Sequence, residues 1–135
     1  MIRIALFLSL MTAGSVFADG IGSYKTVVDI ASQRKTSAFI YFSSNGCSAC
    51  RQMEKTTFMD PVTGTKLRQM ARVKYILDSE DGSEVFKYIL RTNKIEVPEI
   101  VPLPSYFIVR RYKIIKYHSG YLPPEEFGPW LDATP

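Results

Sequence analysis

The chain has 135 residues, of which 17 are Lys or Arg and 13 are Asp or Glu, and it carries a formal net charge of +4. This is the length of one ordinary domain, and no internal repeat or low-complexity linker divides it. The positive charge is mild and no basic run is longer than two residues. The sequence therefore gives no case for nucleic-acid binding.

The first predicted element is an N-terminal leader. Arg3 precedes an apolar stretch from Ile4 to Met11, and small residues then lead to Val16-Phe17-Ala18. This order resembles a bacterial secretory signal peptide that is cleaved before Asp19. A membrane anchor is the alternative, but the apolar stretch is shorter than the ~20 residues that a spanning helix needs. We therefore expect a leader at residues 1–18 and a periplasmic domain at residues 19–135.

Hydrophobic spacing and turn residues predict the elements that follow. In chain order they are a helix over Ser23–Arg34, a strand over Ala38–Phe42, a turn at Ser43–Gly46, a helix over Cys50–Phe58 and a helix from Asp60-Pro61 toward Met70. A strand over Arg72–Leu77, a helix over Ser83–Leu90, a hairpin of Tyr106–Val109 with Ile114–Tyr117, and a helix over Pro123–Leu131 complete the chain. Strands and helices alternate in the first two-thirds, which indicates a parallel βαβ arrangement. The prediction is a single α/β domain with a central mixed sheet flanked by helices.

Cys47-Ser48-Ala49-Cys50 contains the only two cysteines, spaced one helical turn apart. A disulfide that closes so short a loop stabilises the fold by only about 2 kcal/mol on the chain-entropy estimate. A c-type haem site needs histidine after the second cysteine, where Arg51 stands. A zinc site needs four ligands, which two cysteines and His118 cannot supply within one chain. Redox exchange is the favoured interpretation; a disulfide without catalytic use and a metal shared with a partner chain stay open.

The predicted helix start assigns different roles to the two cysteines. Unpaired backbone N–H groups and the helix dipole favour an anion at Cys47. Cys47 is therefore expected to have a lowered pKa and to attack as a thiolate. Cys50, further inside the first turn, is expected to resolve the mixed disulfide.

Three segments resemble the thioredoxin superfamily, and the likeness extends over nearly all of the predicted mature chain. They are Cys47–Pro61, which combines the cysteine pair with Glu54-Lys55, Thr57-Phe58 and Asp60-Pro61, then Leu103-Pro104-Ser105, and Gly120–Phe127. Within the superfamily the chain is similar to the C-terminal periplasmic domain of the thiol:disulfide interchange protein DsbD and its freestanding relatives. The resemblance implies a thioredoxin fold, reduction of protein disulfides, and a membrane-bound electron donor of the DsbD type. It implies no cofactor and no metal.

The resemblance also implies roles for residues outside the cysteine pair. Pro104 matches the family's cis proline, which faces the disulfide, and Leu103 would offer backbone groups to a bound substrate chain. Glu54 lies four residues after Cys50, on the same helical face, and matches an acidic residue that tunes the active site. It is predicted to take the proton from Cys50 during resolution. The alternative is a surface charge paired with Lys55 or Arg51. Lys74, His118 and Trp130 are left out of the predicted site.

The chain departs from the family pattern at several positions. Gly46 stands where a tryptophan usually precedes the first cysteine, and Tyr41 stands where an acidic residue is common. The Ser-Ala pair between the cysteines matches neither thioredoxins nor the strong periplasmic oxidant, and the stretch from Thr92 to Leu103 is longer than usual. These departures keep two alternatives open: a thiol oxidase or isomerase on the same fold, and a thioredoxin-fold binding protein whose disulfide stays closed.

Overall fold

The computed structural model describes residues 16–17 and 23–133. Its helices are α1 (Tyr24–Gln33), α2 (Ser48–Lys55), α3 (Pro61–Arg68), α4 (Glu80–Asn93) and α5 (Pro124–Asp132). Its strands are β1 (Ala38–Ser43), β2 (Ala71–Ile76), β3 (Ser105–Arg110) and β4 (Lys113–Ser119). Every predicted helix and strand is present, with shifted ends.

The four strands form one mixed sheet in the order β2-β1-β3-β4. Strand β1 pairs parallel to β2, with Ala38 opposite Ala71, and antiparallel to β3, with Ala38 opposite Val109. All six residues of β1 are buried, because this strand has neighbours on both edges and layers on both faces. The prediction of a mixed sheet flanked by helices is confirmed.

Alternate residues of β1 point into two separate hydrophobic clusters. Ile40 and Phe42 belong to the cluster that contains residues of α1 and α4, whereas Phe39 and Tyr41 belong to the one that contains residues of α2, α3 and α5. The apolar run of β1 therefore fills both core layers. This sandwich places the C-terminal end of β1, and the loop that carries Cys47, between the two helical layers.

The bounds of α4 and α2 differ most from those that the sequence predicts. Helix α4 begins at Glu80 rather than Ser83, because the Ser79 hydroxyl accepts a hydrogen bond from the Gly82 N–H at 3.0 Å and caps the helix. Helix α2 ends at Lys55 rather than Phe58. The Thr56 hydroxyl donates back to the Gln52 carbonyl at 2.7 Å, and the following residues turn Phe58 into the core.

Two residues of the predicted leader contribute to the core. Val16 is buried, and the Phe17 ring packs against Tyr41 and Phe58 at centroid distances of 5.4 and 5.7 Å. The remaining leader residues and the predicted cleavage point lie outside the described residues. Within the described ranges, no helix is long and apolar enough to cross a membrane.

Candidate active site

Cys47 and Cys50 form a disulfide at the N-terminus of α2, with their Cα atoms 5.2 Å apart. Cys47 is the N-cap residue, and its Sγ accepts a hydrogen bond from the Cys50 N–H at 3.1 Å. Cys47 is half-buried, whereas Cys50 has no exposed surface. Of the two cysteines, Cys47 is therefore the more accessible to an incoming group.

The position of Cys47 stabilises negative charge on its sulfur. The first backbone N–H groups of a helix lack carbonyl partners and point toward the cap.

The Arg51 side chain, one turn into α2, donates to the Ser43 hydroxyl at 2.6 Å and to the Ser44 carbonyl at 3.2 Å. These bonds fix the loop that leads from β1 into the cysteine pair.

Glu54 lies at the centre of a charged cluster beside the cysteine pair. Its carboxylate accepts from Arg51 Nε at 3.1 Å and forms an ion pair with Lys74 of β2. The Glu54 side chain is only 19% exposed and that of Lys74 26%, so this pair is more shielded than an ordinary surface ion pair. One acid and two bases leave a net charge of +1 beside the cysteines, which also favours an anionic sulfur.

Tyr41 connects this cluster to Cys50. Its hydroxyl lies 3.4 Å from a Glu54 carboxylate oxygen and 3.4 Å from the Cys50 carbonyl oxygen. Burial raises the pKa of the Tyr41 hydroxyl above its ordinary value, and the neighbouring Glu54 carboxylate raises this pKa further. The hydroxyl is therefore a proton donor at neutral pH. The sequence has no acid at position 41, but the Tyr41 hydroxyl contacts the Glu54 carboxylate that α2 supplies.

The proline loop lies at the same end of the sheet as the cysteines. The Leu103–Pro104 peptide bond is cis, as the resemblance implies. The Pro104 carbonyl accepts from the Gly120 N–H at 2.7 Å, and Ser105 pairs with Phe42 near the end of β1. Four side chains of the preceding segment pack against the core: Ile95, Val97, Val101 and Leu103. Ile100, between them, is 86% exposed.

Sequence reasoning left Lys74 out of the site and gave Tyr41 no role in it, but the structure places both against Glu54. The parallel register places Lys74 opposite Tyr41, so both are carried toward Glu54. The available signal was a tyrosine on the buried strand β1 together with an acid, Glu54, four residues after Cys50. His118, excluded from the site, contacts Tyr106 and Trp130 at centroid distances of 5.5 and 6.2 Å. Among residues 16–17 and 23–133, no three His, Cys, Asp or Glu side chains come together as a metal site requires.

Solved structures with the same fold include several redox proteins. A thioredoxin from Thermus thermophilus is 19% identical with a TM-score of 0.62, and the match covers 81% of each chain. A disulphide isomerase from Xylella fastidiosa Temecula1 is 14% identical with a TM-score of 0.54, covering 69% of this chain and 68% of that one. A complex of ferredoxin:thioredoxin reductase with thioredoxin f2 contains a chain that is 14% identical with a TM-score of 0.56, covering 82% and 83%.

No curated protein matches the chain by sequence. These structural likenesses, all below 20% identity, show the fold. The family model described as "Thioredoxin-like domain" matches residues 24–135, a range that contains the cysteine pair, the charged cluster and the proline loop. The chain therefore belongs to the thioredoxin-like domain family.

Proposed function

We propose that this protein is a periplasmic thiol:disulfide oxidoreductase that mainly reduces protein disulfides. The observation that carries the proposal is the arrangement of the two sulfurs: Cys47 is accessible at a helix N-terminus, and Cys50 is buried one turn behind it. A structural disulfide gains nothing from this asymmetry. An exchange reaction needs this asymmetry, because one sulfur must attack the substrate first and the other must then attack the mixed disulfide.

The reaction begins with both cysteines reduced. The Cys47 thiolate attacks one sulfur of a substrate disulfide, the substrate S–S bond breaks, and the second substrate sulfur leaves as a thiolate that takes up a proton. Cys50 then loses its proton and attacks Cys47 Sγ, which breaks the mixed disulfide and releases the first substrate sulfur. Two electrons pass to the substrate, and the Cys47–Cys50 disulfide of the structure is the product.

Glu54 is the proposed proton acceptor for Cys50. Its carboxylate lies within hydrogen-bond reach of the Tyr41 hydroxyl, which in turn contacts the Cys50 backbone. Arg51 and Lys74 hold the carboxylate in this position from two sides. A charged group fixed by a neighbouring strand and by its own helix needs little reorganisation to act during the exchange.

The proline loop is the proposed substrate-binding surface. Leu103 precedes Pro104 at the end of the sheet where Cys47 is exposed, so its backbone groups can pair with an extended polypeptide. The apolar Ile100 side chain projects from the same segment. Protein disulfides are therefore the proposed substrate class.

Two features of the sequence support the proposed compartment and direction of transfer. The N-terminal segment has the order of a secretory leader, which would deliver the domain to the periplasm. The run from Cys47 to Pro61 resembles the periplasmic group that reduces disulfides with electrons from the membrane. A membrane-bound donor of the DsbD type is thus the proposed source of electrons.

Trapping of mixed disulfides tests the proposal. Cys50→Ala should accumulate Cys47-linked substrate adducts in periplasmic extracts, because the resolving thiol is missing. Cys47→Ala should form none. Ser48→Ala leaves both thiols in place and serves as the control that releases its substrates. Adducts formed only through Cys50 would reverse the assignment, and the absence of adducts and of reductase activity would favour a binding protein with a closed disulfide.

A further inference from the structure

Four acids and a group of five bases lie at opposite ends of the fold. Helices α4 and α5 begin at the end of the sheet that carries the cysteines, with Glu80, Asp81, Glu125 and Glu126 in their first turns. The turn between β3 and β4 lies at the other end, beyond the start of β1. Five bases are placed there, and we call them the basic end: Arg34, Lys35, Arg110, Arg111 and Lys113.

Contacts show that the basic end is one surface. Lys35 and Arg110 line the same cleft, and Arg110 also lines the neighbouring cleft with Arg111 and Lys113. Arg110 Nε donates to the Ser37 hydroxyl at 3.0 Å, which ties the hairpin to the segment after α1. Residues far apart in the sequence thus form a continuous positive surface, although no basic run exceeds two residues.

The bases of the basic end form no ion pair with the described residues, although Arg110 donates to the Ser37 hydroxyl. Within the described part of the chain, no carboxylate lies within ion-pair distance of any of its five residues. Two acids lie at its edge: Asp132 lines the cleft that contains Lys35 and Arg110 and pairs with Lys66, and Asp29 accepts a hydrogen bond from the Tyr112 hydroxyl at 2.9 Å. The basic end is therefore free to attract an external anion.

Compensation of a helix dipole accounts for Arg34 and Lys35, which follow the last turn of α1, but not for the other three bases. Lys and Arg commonly occupy the last turns of helices, but Arg110, Arg111 and Lys113 lie on a hairpin. Arg111 and Lys35 adopt φ values of 51° and 54°, a region that favours glycine and asparagine. The backbone conformation at these positions does not require a base, so the turn geometry does not explain why bases are found there.

Tyr112 adds an interfacial side chain to this surface. It lies at the tip of the hairpin between Arg111 and Lys113 and is 60% exposed. An amphipathic ring flanked by bases is typical of a segment that rests among lipid headgroups, where the ring enters the interface and the cations meet phosphates.

The N-terminal chain approaches the molecule at the same end. The Val16 carbonyl accepts from Arg72 Nε, and Arg72 also donates to the Met70 carbonyl. Met70 lines the cleft that contains Lys35 and Arg110. The sequence before Val16 includes the apolar stretch from Ile4 to Met11, so the leader joins the described domain at the basic end.

We propose that the basic end binds an anionic phospholipid bilayer and holds the cysteines toward the aqueous side. The attraction is electrostatic and does not depend on the redox chemistry proposed above. It should weaken with salt, because headgroup charges are screened within about 10 Å at 0.1 M ionic strength.

Vesicle sedimentation of the protein, in the form that the cell produces, tests this proposal. The wild-type protein should bind vesicles of mixed phosphatidylcholine and phosphatidylglycerol at low salt, and not phosphatidylcholine alone. Arg111→Gln with Lys113→Gln should lower the partition coefficient by roughly tenfold or more. The control pair, Lys55→Gln with Lys87→Gln, removes the same charge from exposed positions elsewhere and should change binding by less than about twofold.

A second variant separates the loss of charge from any damage to the fold of the hairpin. Arg111→Gly removes the charge while favouring the left-handed turn, so it should fold at least as well and still bind less. Equal binding by the basic-end variants and the wild type, or an equal loss in the control pair, would overturn the proposal. So would equal sedimentation with phosphatidylcholine alone. Binding to heparin without binding to anionic vesicles would assign the surface to another polyanion and also overturn it.

Discussion

Replacing Glu54 tests the charged cluster at the level of a single side chain. Glu54→Gln keeps the size and hydrogen-bonding capacity but removes the carboxylate that would take the Cys50 proton. Disulfide exchange should slow by about 10²-fold, the usual contribution of a positioned proton acceptor. Loss of an ordinary ion pair costs under ~1 kcal/mol, so stability should change far less than the rate.

Stopped-flow exchange with a model protein disulfide, followed across neutral pH, measures this effect. Glu84→Gln removes an exposed carboxylate from α4 and is the matched control, with no expected change in rate. Exchange in Glu54→Gln at the wild-type rate across that range would leave Glu54 as an ordinary helix residue.

Residues of the site differ in how well the sequence could predict them. Cys47, Cys50 and Glu54 share one helix, so their spacing along the chain determines their relative positions. Lys74 reaches the same cluster only through the parallel register of β1 and β2, a long-range relation that its own strand does not encode. The absence of an acid at Tyr41 directed attention to Glu54, but the contact between the Tyr41 hydroxyl and the Glu54 carboxylate depends on how α2 packs against β1.

Two helical glycines provide a matched test of how α4 packs on β2. A Cβ atom at Gly82 would meet the Ile76 carbonyl oxygen at 1.9 Å, whereas one at Gly128 of α5 would meet nothing within 4 Å. Gly82→Ala should therefore lower the free energy of unfolding by about 1–3 kcal/mol or more, as overpacking against backbone does. Gly128→Ala should change stability by less than about 1 kcal/mol, because the helix propensity of alanine is offset by the restriction that Pro129 places on the residue before it.

Urea unfolding of the two variants decides the comparison. Equal stability of Gly82→Ala and the wild type would mean that α4 lies further from the end of β2 than the structure shows. The same contact explains why the sequence missed the first turn of α4. Because glycine has a low helix propensity, Gly82 predicts that the helix begins after it. In the structure Gly82 lies inside α4 and allows this helix to approach β2 closely.

Processing of the leader concerns the whole molecule. We expect the exported protein to begin at Asp19, as its signal-like sequence predicts, and the intact mass of the periplasmic form measures this. Such cleavage removes Val16 and Phe17, which cover Phe39, Tyr41 and Phe58 in the structure. Ala18→Phe replaces the small residue that cleavage requires, so this variant should retain the leader. A wild-type mass that still includes Phe17 would contradict the prediction and make that residue part of the mature core.

The whole fold could be predicted because its elements agree with one another. The apolar run of β1, the capping residues of the helices and the alternation of strands with helices all indicate one layered domain. The grouping of five bases at one end could not be predicted in the same way. It arises because the hairpin turn and the end of α1 come together beyond β1, and only the topology brings them there.

The equilibrium reduction potential of the Cys47–Cys50 disulfide, measured against glutathione, tests most directly whether this is a reducing exchange protein. An accessible Cys47 with a buried partner, in a domain that resembles the membrane-supplied reductases, should give a value between roughly −200 and −270 mV. A value near −120 mV, that of the strong periplasmic oxidant, would contradict the reductase function.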